Sequence, residues 1–440
     1  MQRPIHELVD LIPPSTQRLL GTSMEAVRAA MRAGDLAAVR RVRGSFALAA
    51  RDGERVFLAR SLDRPLRYFL AKQESGPLLL VADRIDAIQH RLHERGLADQ
   101  FRPDYTRMAP AHHVTELRLV GCPDPNPTHR RFLEPAATLP QDLDEIGHRY
   151  VAALADALRS WLAAQDPNEP IGVPFSGGID SGAVLLALHD LLLQTGQSAA
   201  RLKAFTLSVD GAGADAAQAL DFLGRVGLEY LSEVVEVDAA TLDPHDAVAV
   251  IEDYKARDVE CATAGLALLR EVRNRYPAWS LLVDGDGGDE NLKDYPIEEN
   301  PELTIRSVVQ NSMLYQEGWG VECIKHSQTY SGGYSRGCVR TFAPAAHLGF
   351  AAFSPFTQPD VVAAAAAIPF APLAEGSTDR LYRLKGEIVR RGMAAVFGRA
   401  DFPVFPKRRF QEGATAIPTF DRLFAGGEAV YRRHFAALHS

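Results

Sequence analysis

At 440 residues with 46% hydrophobic content, the chain can bury two cores, and two or three domains are expected. A net charge of −8 speaks against a general nucleic-acid binder and fits a soluble, mildly acidic surface. The start, Met1-Gln-Arg-Pro-Ile-His-Glu7, has no apolar signal core, no hydrophobic run approaches membrane length, and Cys122, Cys261, Cys323 and Cys338 show no metal spacing; a reduced cytoplasmic protein with no membrane partner is expected.

Residues 1 to about 40 read as amphipathic helix, with Met24, Val27, Met31 and Leu36 on the apolar side. Gly44–Ala50 and Val56–Ala59 around an Arg51–Glu54 turn give a hairpin signal, and Leu78–Val81 reads as a buried strand. Between Gly121 and Pro140 prolines and polar residues accumulate, which suits a linker. The domains expected are therefore 1–140, a small sheet with helices, and 141–440. From Asp142 a long helix carries Ile146, Tyr150, Val151, Leu154, Leu158 and Leu162 on one side. Ile171–Phe175, Leu202–Val209 and Ser280–Val283 follow as strands separated by helical segments, so a doubly wound parallel α/β sheet is the economical architecture.

Three stretches carry chemistry. In Ile171-Gly-Val-Pro-Phe-Ser-Gly-Gly-Ile-Asp-Ser-Gly182 a strand runs through Gly177 and Gly178 into a helix. Free backbone N–H groups, the helix dipole and the hydroxyls of Ser176 and Ser181 favour a phosphate there. Asp180 would repel that phosphate unless a divalent cation stood between them, which makes it a candidate Mg²⁺ ligand. The lysine of a γ-phosphate-transferring P-loop is missing. The second stretch, Leu282-Val-Asp-Gly-Asp-Gly-Gly-Asp-Glu-Asn-Leu-Lys-Asp-Tyr295, sets Asp284, Asp286, Asp289 and Glu290 among Gly285, Gly287 and Gly288, just past a strand. So many acids need a counter-charge, and Asp289 pairs with Asp180 as the second metal ligand. A solvated acidic turn is the competing reading; a calcium loop of EF-hand type does not fit the spacing. Third, Phe402-Pro-Val-Phe-Pro-Lys-Arg-Arg-Phe-Gln-Glu-Gly413 is either a basic surface turn or the source of a lysine, Lys407, that neutralises charge on the α-phosphate and the reacting carbonyl.

Taken together, Ser176-Gly-Gly-Ile-Asp-Ser181, Asp284-Gly-Asp-Gly-Gly-Asp-Glu290 and Phe405–Gly413 resemble, in order and spacing, the three motifs of the asparagine synthetase family. Ala204-Phe-Thr-Leu-Ser208, Glu252-Asp-Tyr254 and Gly349–Phe356 resemble its intermediate landmarks, so the likeness spans roughly residues 142–413. The resemblance implies an ATP-pyrophosphatase domain (adenine nucleotide α-hydrolase-like) that uses ATP and Mg²⁺. It implies that Ser176, Gly177, Gly178, Asp180 and Ser181, with Gly285 and Gly287, surround the phosphates, and that Asp180 and Asp289 hold the metal. Leu207 backbone groups would face adenine, Lys407 would be the catalytic lysine, and Asp286 would take the place of the family's loop glutamate. Glu252–Tyr254 would match the family's helix before the second loop.

Residues 43–88 resemble the back half of the family's N-terminal-nucleophile glutaminase domain, through Arg43-Gly-Ser-Phe46, Leu62-Asp-Arg-Pro-Leu-Arg-Tyr68 and Val81–Ile88. The mature N-terminal cysteine that such a glutaminase needs as nucleophile is not in evidence: the chain starts Met1-Gln2-Arg3, and no cysteine falls in the first hundred residues. A truncated, inactive glutaminase-like α+β domain is expected, as in β-lactam synthetases. Ala351 and Phe353 stand where the family has glutamate and arginine, which argues against L-aspartate as substrate. The expected function is an AMP-forming carbon–nitrogen ligase joining a carboxylate to an amine, within one molecule to give a lactam or between two, in specialised or antibiotic metabolism, with peptide substrates open. Alternatives are an ammonia-dependent asparagine synthetase and a non-catalytic nucleotide-binding scaffold. The small N-terminal domain offers a surface for a homodimer.

Overall fold

The computed structural model describes residues 4–119, 125–134, 138–294, 297–299, 303–311, 338–406 and 410–440. These fall into two compact units: one runs to Glu134 and includes Ala436–Ser440, and the other begins at Pro135 and ends at Phe435.

The first unit is rich in strands. Its elements are β1 (Glu7–Asp10), β2 (Arg18–Leu20), α1 (Met24–Ala33), α2 (Leu36–Arg40), β3 (Arg43–Ser45), β4 (Ala47–Asp52), β5 (Arg55–Arg60), β6 (Arg67–Ala71), β7 (Leu78–Ala82), α3 (Ile85–Glu94), β8 (Arg107–Met108), β9 (His113–Leu119) and β10 (Pro125–Arg131). Two four-stranded sheets form, β1-β7-β6-β8 and β10-β9-β5-β4. Every second residue of the hairpin points inward, so Ala47, Ala49, Val56 and Leu58 of one sheet share a core with Tyr68, Leu79 and Val81 of the other. The hairpin turns at Gly53, whose φ of +56° suits a two-residue turn.

Two expectations fail here. Residues 7–20 are strand, 3-10 turn and strand, and helix begins only at Met24, where Ser23 caps it by accepting the Ala26 N–H. The stretch expected to be linker contains β10, paired antiparallel to β9 with Pro127 opposite Leu117. Prolines fit because β10 is an edge strand, where an N–H on the open side has no ladder partner to lose.

The second unit continues with α4 (Leu143–Leu162), β11 (Ile171–Pro174), α5 (Ile179–Gln194), β12 (Leu202–Val209), α6 (Asp215–Arg225), β13 (Ser232–Val237), α7 (Pro244–Ile251), α8 (Ala256–Arg275), β14 (Leu281–Val283) and α9 (Gly288–Leu292). Then come α10 (Ile305–Gln310), α11 (Ala343–His347), β15 (Ala351–Phe353), α12 (Pro359–Ala366), α13 (Phe370–Ala374), α14 (Thr378–Phe397), α15 (Phe410–Gly413), α16 (Ile417–Leu423) and α17 (Gly427–Leu438). Five parallel strands lie in the order β13-β12-β11-β14-β15. The chain moves outward from β11 in one direction and then in the other, so the order reverses between β11 and β14. That switch point is where open α/β sheets leave a crevice at the strands' C-terminal ends. The resemblance placed Glu252–Tyr254 on a helix; Glu252 instead has φ +51° and ends α7, making this segment the joint before α8.

Helix α14 sits unusually close to α4. A Cβ at Gly392 would fall 2.3 Å from the Gly147 carbonyl oxygen, and one at Gly147 would fall 2.7 Å from that of Ile388. Two glycines thus let the backbones touch, and this fixes the height of α14 over the switch point. No described helix is long and apolar enough to cross a membrane.

Candidate active site at the sheet switch point

The first loop leaves β11 at its C-terminal end. The Phe175 N–H donates to Phe205 O (2.8 Å), and Thr206 Oγ1 donates to Phe175 O (2.7 Å), which holds the loop's entry against β12. Gly177 has φ +72°, and a Cβ there would meet α6 backbone at 2.9 Å; no other residue fits. Ser176 Oγ accepts the Gly178 N–H (3.3 Å). Gly178 caps α5 with no side-chain acceptor for the helix's first N–H groups. These groups, with Asp180 and the buried Ser181 in the first turn, face the switch point.

The second loop leaves β14 beside it. Asp284 is a structural tie: its carboxylate accepts the Asp286 N–H (3.0 Å) and the Ser354 hydroxyl (2.9 Å). The two loops touch through glycines. A Cβ at Gly285 would fall 2.7 Å from the Ser181 nitrogen, and one at Gly288 would fall 2.2 Å from Asp180 Oδ1. Gly287, at φ +100°, packs against Phe356 instead.

Asp180 and Asp289, paired on sequence grounds, do converge, and what joins them is a residue that the sequence reading missed. Lys385 of α14 is 3% exposed; its Nζ donates to Asp180 Oδ2 (2.6 Å) and to Asp289 Oδ1, and stands 3.3 Å from Asp294 Oδ2. Burial by itself would strip the proton from this amine, but Asp180, Asp289 and Asp294 outweigh it and hold the ammonium well above lysine's usual range. A signal was present: Leu381, Leu384, Lys385, Ile388 and Gly392 follow helical spacing, so Lys385 lies on the buried stripe of its helix.

Among the described residues no three carboxylate, imidazole or thiolate groups are arranged round a metal position. The donor chemistry nevertheless fits Mg²⁺ in the way nucleotide enzymes use it, with two carboxylates from the protein and the remaining oxygens from phosphates and water. Asp180 and Asp289 would supply those two carboxylates, and three acids stand around one ammonium.

Asp286 lies deeper in the second loop. Burial raises its carboxyl to about 6, against the opposing effects of the Arg340 guanidinium and the Thr341 hydroxyl, and Glu290 and Asp289 push the same way as burial. Arg340 spans two acids, with Asp286 Oδ1 at 3.6 Å and Glu290 Oε1 at 3.9 Å. Nothing in the sequence marked Arg340.

The remaining expected residues are placed as follows. Leu207 is buried in β12, paired with Val235 of β13, in the strand next to β11. Lys407 lies outside the described residues, but both flanks of its segment are anchored. Phe405 packs on Phe222 (6.4 Å between centroids) and takes the Arg225 guanidinium over its face (4.8 Å); Phe222 itself lies 2.6 Å from a Cβ built on Gly182. On the other side, Ala414 O accepts the Val209 N–H (3.0 Å) at the end of β12. Phe353, at the position where the family has arginine, is part of the core. It stacks on Trp161 of α4 (5.4 Å, 7° between planes) at 3% exposure. A cleft of about 550 Å³ lies at the C-terminal end of α14, lined by Asp190 and by Phe397 to Asp401, just before the third stretch.

A parallel sheet with its loops gathered at the switch point makes this an α/β protein of the doubly wound class, preceded by a smaller β-rich domain. A model of the asparagine synthase family matches residues 150–327, so the second unit carries a domain of asparagine synthase type. The match covers the first two loops and ends before the third motif. At the level of the family, such a domain supports an ATP-dependent ligase of amidation type. No curated protein matches the chain.

Proposed function

We propose that this protein is an AMP-forming carbon–nitrogen ligase that activates a carboxylate with ATP and couples it to an amine. The observation that carries the reading is the meeting of Asp180 and Asp289, from loops after two different strands, at the one point where the sheet order reverses.

In the first half-reaction a carboxylate oxygen of the substrate attacks the α-phosphorus, the bond to the bridging oxygen of the β-phosphate breaks, and pyrophosphate leaves. Ser176, Gly177, Gly178 and Ser181 present N–H and O–H donors to the phosphates, and Asp180 and Asp289 would hold Mg²⁺, which would supply positive charge to the phosphate oxygens. The backbone of β12 near Leu207 offers the edge for adenine. Lys407, delivered by a segment anchored at Phe405 and Ala414, is assigned to charge on the α-phosphate and on the acyl carbonyl. In the second half-reaction the amine nitrogen attacks the acyl carbon and AMP leaves. Asp286, titrating near neutrality in a buried position, is suited to take the ammonium proton.

The amine is either part of the same molecule, closing a lactam, or a second small molecule or peptide, which suits specialised metabolism such as antibiotic assembly. L-Aspartate is disfavoured because Phe353, at the position of the family's arginine, is committed to Trp161. The test is pyrophosphate release from MgATP across amino acids, β-amino acids and short peptides, with product masses. A product lighter than its acid by one water supports ring closure, and an added amine mass supports ligation. ATP bound without pyrophosphate release on any substrate would favour a nucleotide-binding scaffold.

A further inference from the structure

Lys385 is a buried cation standing between the two carboxylates that the nucleotide reading assigns to the metal, and it cannot withdraw into solvent. Its helix is locked to α4 by the Gly147–Gly392 contact, its side chain is 3% exposed, and both bridging carboxylates accept its protons. A bare divalent cation that is to bridge Asp180 and Asp289 must therefore compete with an ammonium tethered in place. Desolvated ions separate only when each finds another partner of opposite charge. Phosphate oxygens arriving with the nucleotide are such a partner for the lysine.

We propose that Lys385 is a built-in stand-in for the metal, which keeps Asp180 and Asp289 positioned in the empty protein and makes divalent-cation binding conditional on nucleotide. This rests on the ATP reading above. Lys385 is a positioning residue here: it acts through the two aspartates, keeping mutually repelling carboxylates close and ordering the arrival of ligands. Metal and nucleotide then enter as a pair, and the protein does not collect adventitious cations at an acidic site.

The test uses the full-length protein, Mn²⁺ as a paramagnetic probe read by its free-ion resonance, and α,β-methylene-ATP as a nucleotide that cannot release pyrophosphate. Wild type is expected to bind Mn²⁺ weakly alone and at least about 10-fold more tightly with the analogue, because two sites that favour each other do so reciprocally. Lys385→Met is expected to bind Mn²⁺ alone about 10-fold or more tighter than wild type, since the metal no longer has to displace a tethered ammonium. Its melting temperature should rise with Mn²⁺ alone, where that of wild type should not move. Should Lys385→Met fold only when Mn²⁺ is present, that dependence is itself the expected result. Should it not fold at all, Lys385→Met/Asp294→Asn, which removes one acid along with the ammonium, is read by the same comparison. Tight Mn²⁺ binding by wild type without nucleotide overturns the proposal. So does a lysine-free variant that binds Mn²⁺ no better than wild type, while the ATP reading stands if the analogue still promotes Mn²⁺ binding in wild type. Failure of the analogue to bind or to promote Mn²⁺ binding in wild type overturns both.

Discussion

At the scale of single residues, charge placed where water is scarce decides the outcome. Lys407→Ala should lower the rate of pyrophosphate release by roughly 10²-fold or more, the usual cost of removing a group that meets developing charge, while nucleotide affinity measured by titration changes far less. Asp286 gives a pH signature. Its carboxyl titrates near 6 in the folded protein, so the amide-forming step should rise as pH increases through that value and the base form accumulates. Asp286→Asn should abolish that limb in a pH–rate profile, whereas a purely structural aspartate would leave it in place. His112, in the first unit, bears on stability. Burial first, and then Arg60, His113 and Arg131, depress it to about 3, so between the unfolded value near 6.5 and about 3 the unfolded chain binds a proton that the folded one refuses. Stability must therefore fall with pH across that window, by roughly 3–5 kcal/mol from this group if the whole shift is realised. Denaturant melts of His112→Asn, a residue that tolerates the φ of +61°, should show a shallower acid limb than wild type.

The meeting of Asp180 and Asp289 was legible at this scale because both loops follow parallel strands, whose C-terminal ends gather at the switch point. Lys385 left only a fainter mark, a lysine on an apolar stripe that reads equally as a side chain reaching for the surface. Arg340 left none, because its meeting with Asp286 depends on the packing of α8. There Gly265 allows the Arg340 carbonyl to approach within 2.4 Å of a Cβ position, a contact between segments far apart in sequence.

At the scale of elements, the glycines decide which helices can touch. Gly392→Val would drive side-chain atoms into the Gly147 carbonyl and Val151, which lie 2.3 Å and 2.4 Å from a Cβ. The α4–α14 pair must then open, at a cost of roughly 1–3 kcal/mol or more for an overpacked contact, and Lys385 moves with its helix. A lowered melting temperature together with weakened nucleotide binding is expected. A stable variant with unchanged binding would show that α14 is not set by this crossing. Strands β11, β12 and β14 were readable as short apolar runs bounded by turn residues. β13, with polar Ser232, Glu233 and Glu236, and the three-residue β15 were not, because they pair only once the sheet's centre exists. In the first unit the misread N-terminal segment has the same cause: β1 is held in place by parallel pairing to β7, some seventy residues later, which no local pattern announces.

At the scale of the whole molecule, the two units differ in what holds them. The second gathers its loops round acids and Lys385 at the C-terminal ends of a parallel sheet's central strands. The first spends its charges on structure: Arg60, wholly buried, donates to the carbonyls of Ala109 (2.7 Å), Arg64 (3.0 Å), Leu62 (3.2 Å) and Ser61 (3.3 Å). Those bonds commit the guanidinium to the packing of the sheets. With no cysteine in the first hundred residues, glutamine is expected to give no ammonia on incubation with the protein, as a coupled glutamate assay would record. The central claim concerns which phosphorus is attacked, and ³¹P NMR of MgATP turned over with the carboxylate and amine panel tests it directly. The account predicts AMP and pyrophosphate in equal amounts, lost together in Asp180→Asn; ADP and inorganic phosphate would contradict it.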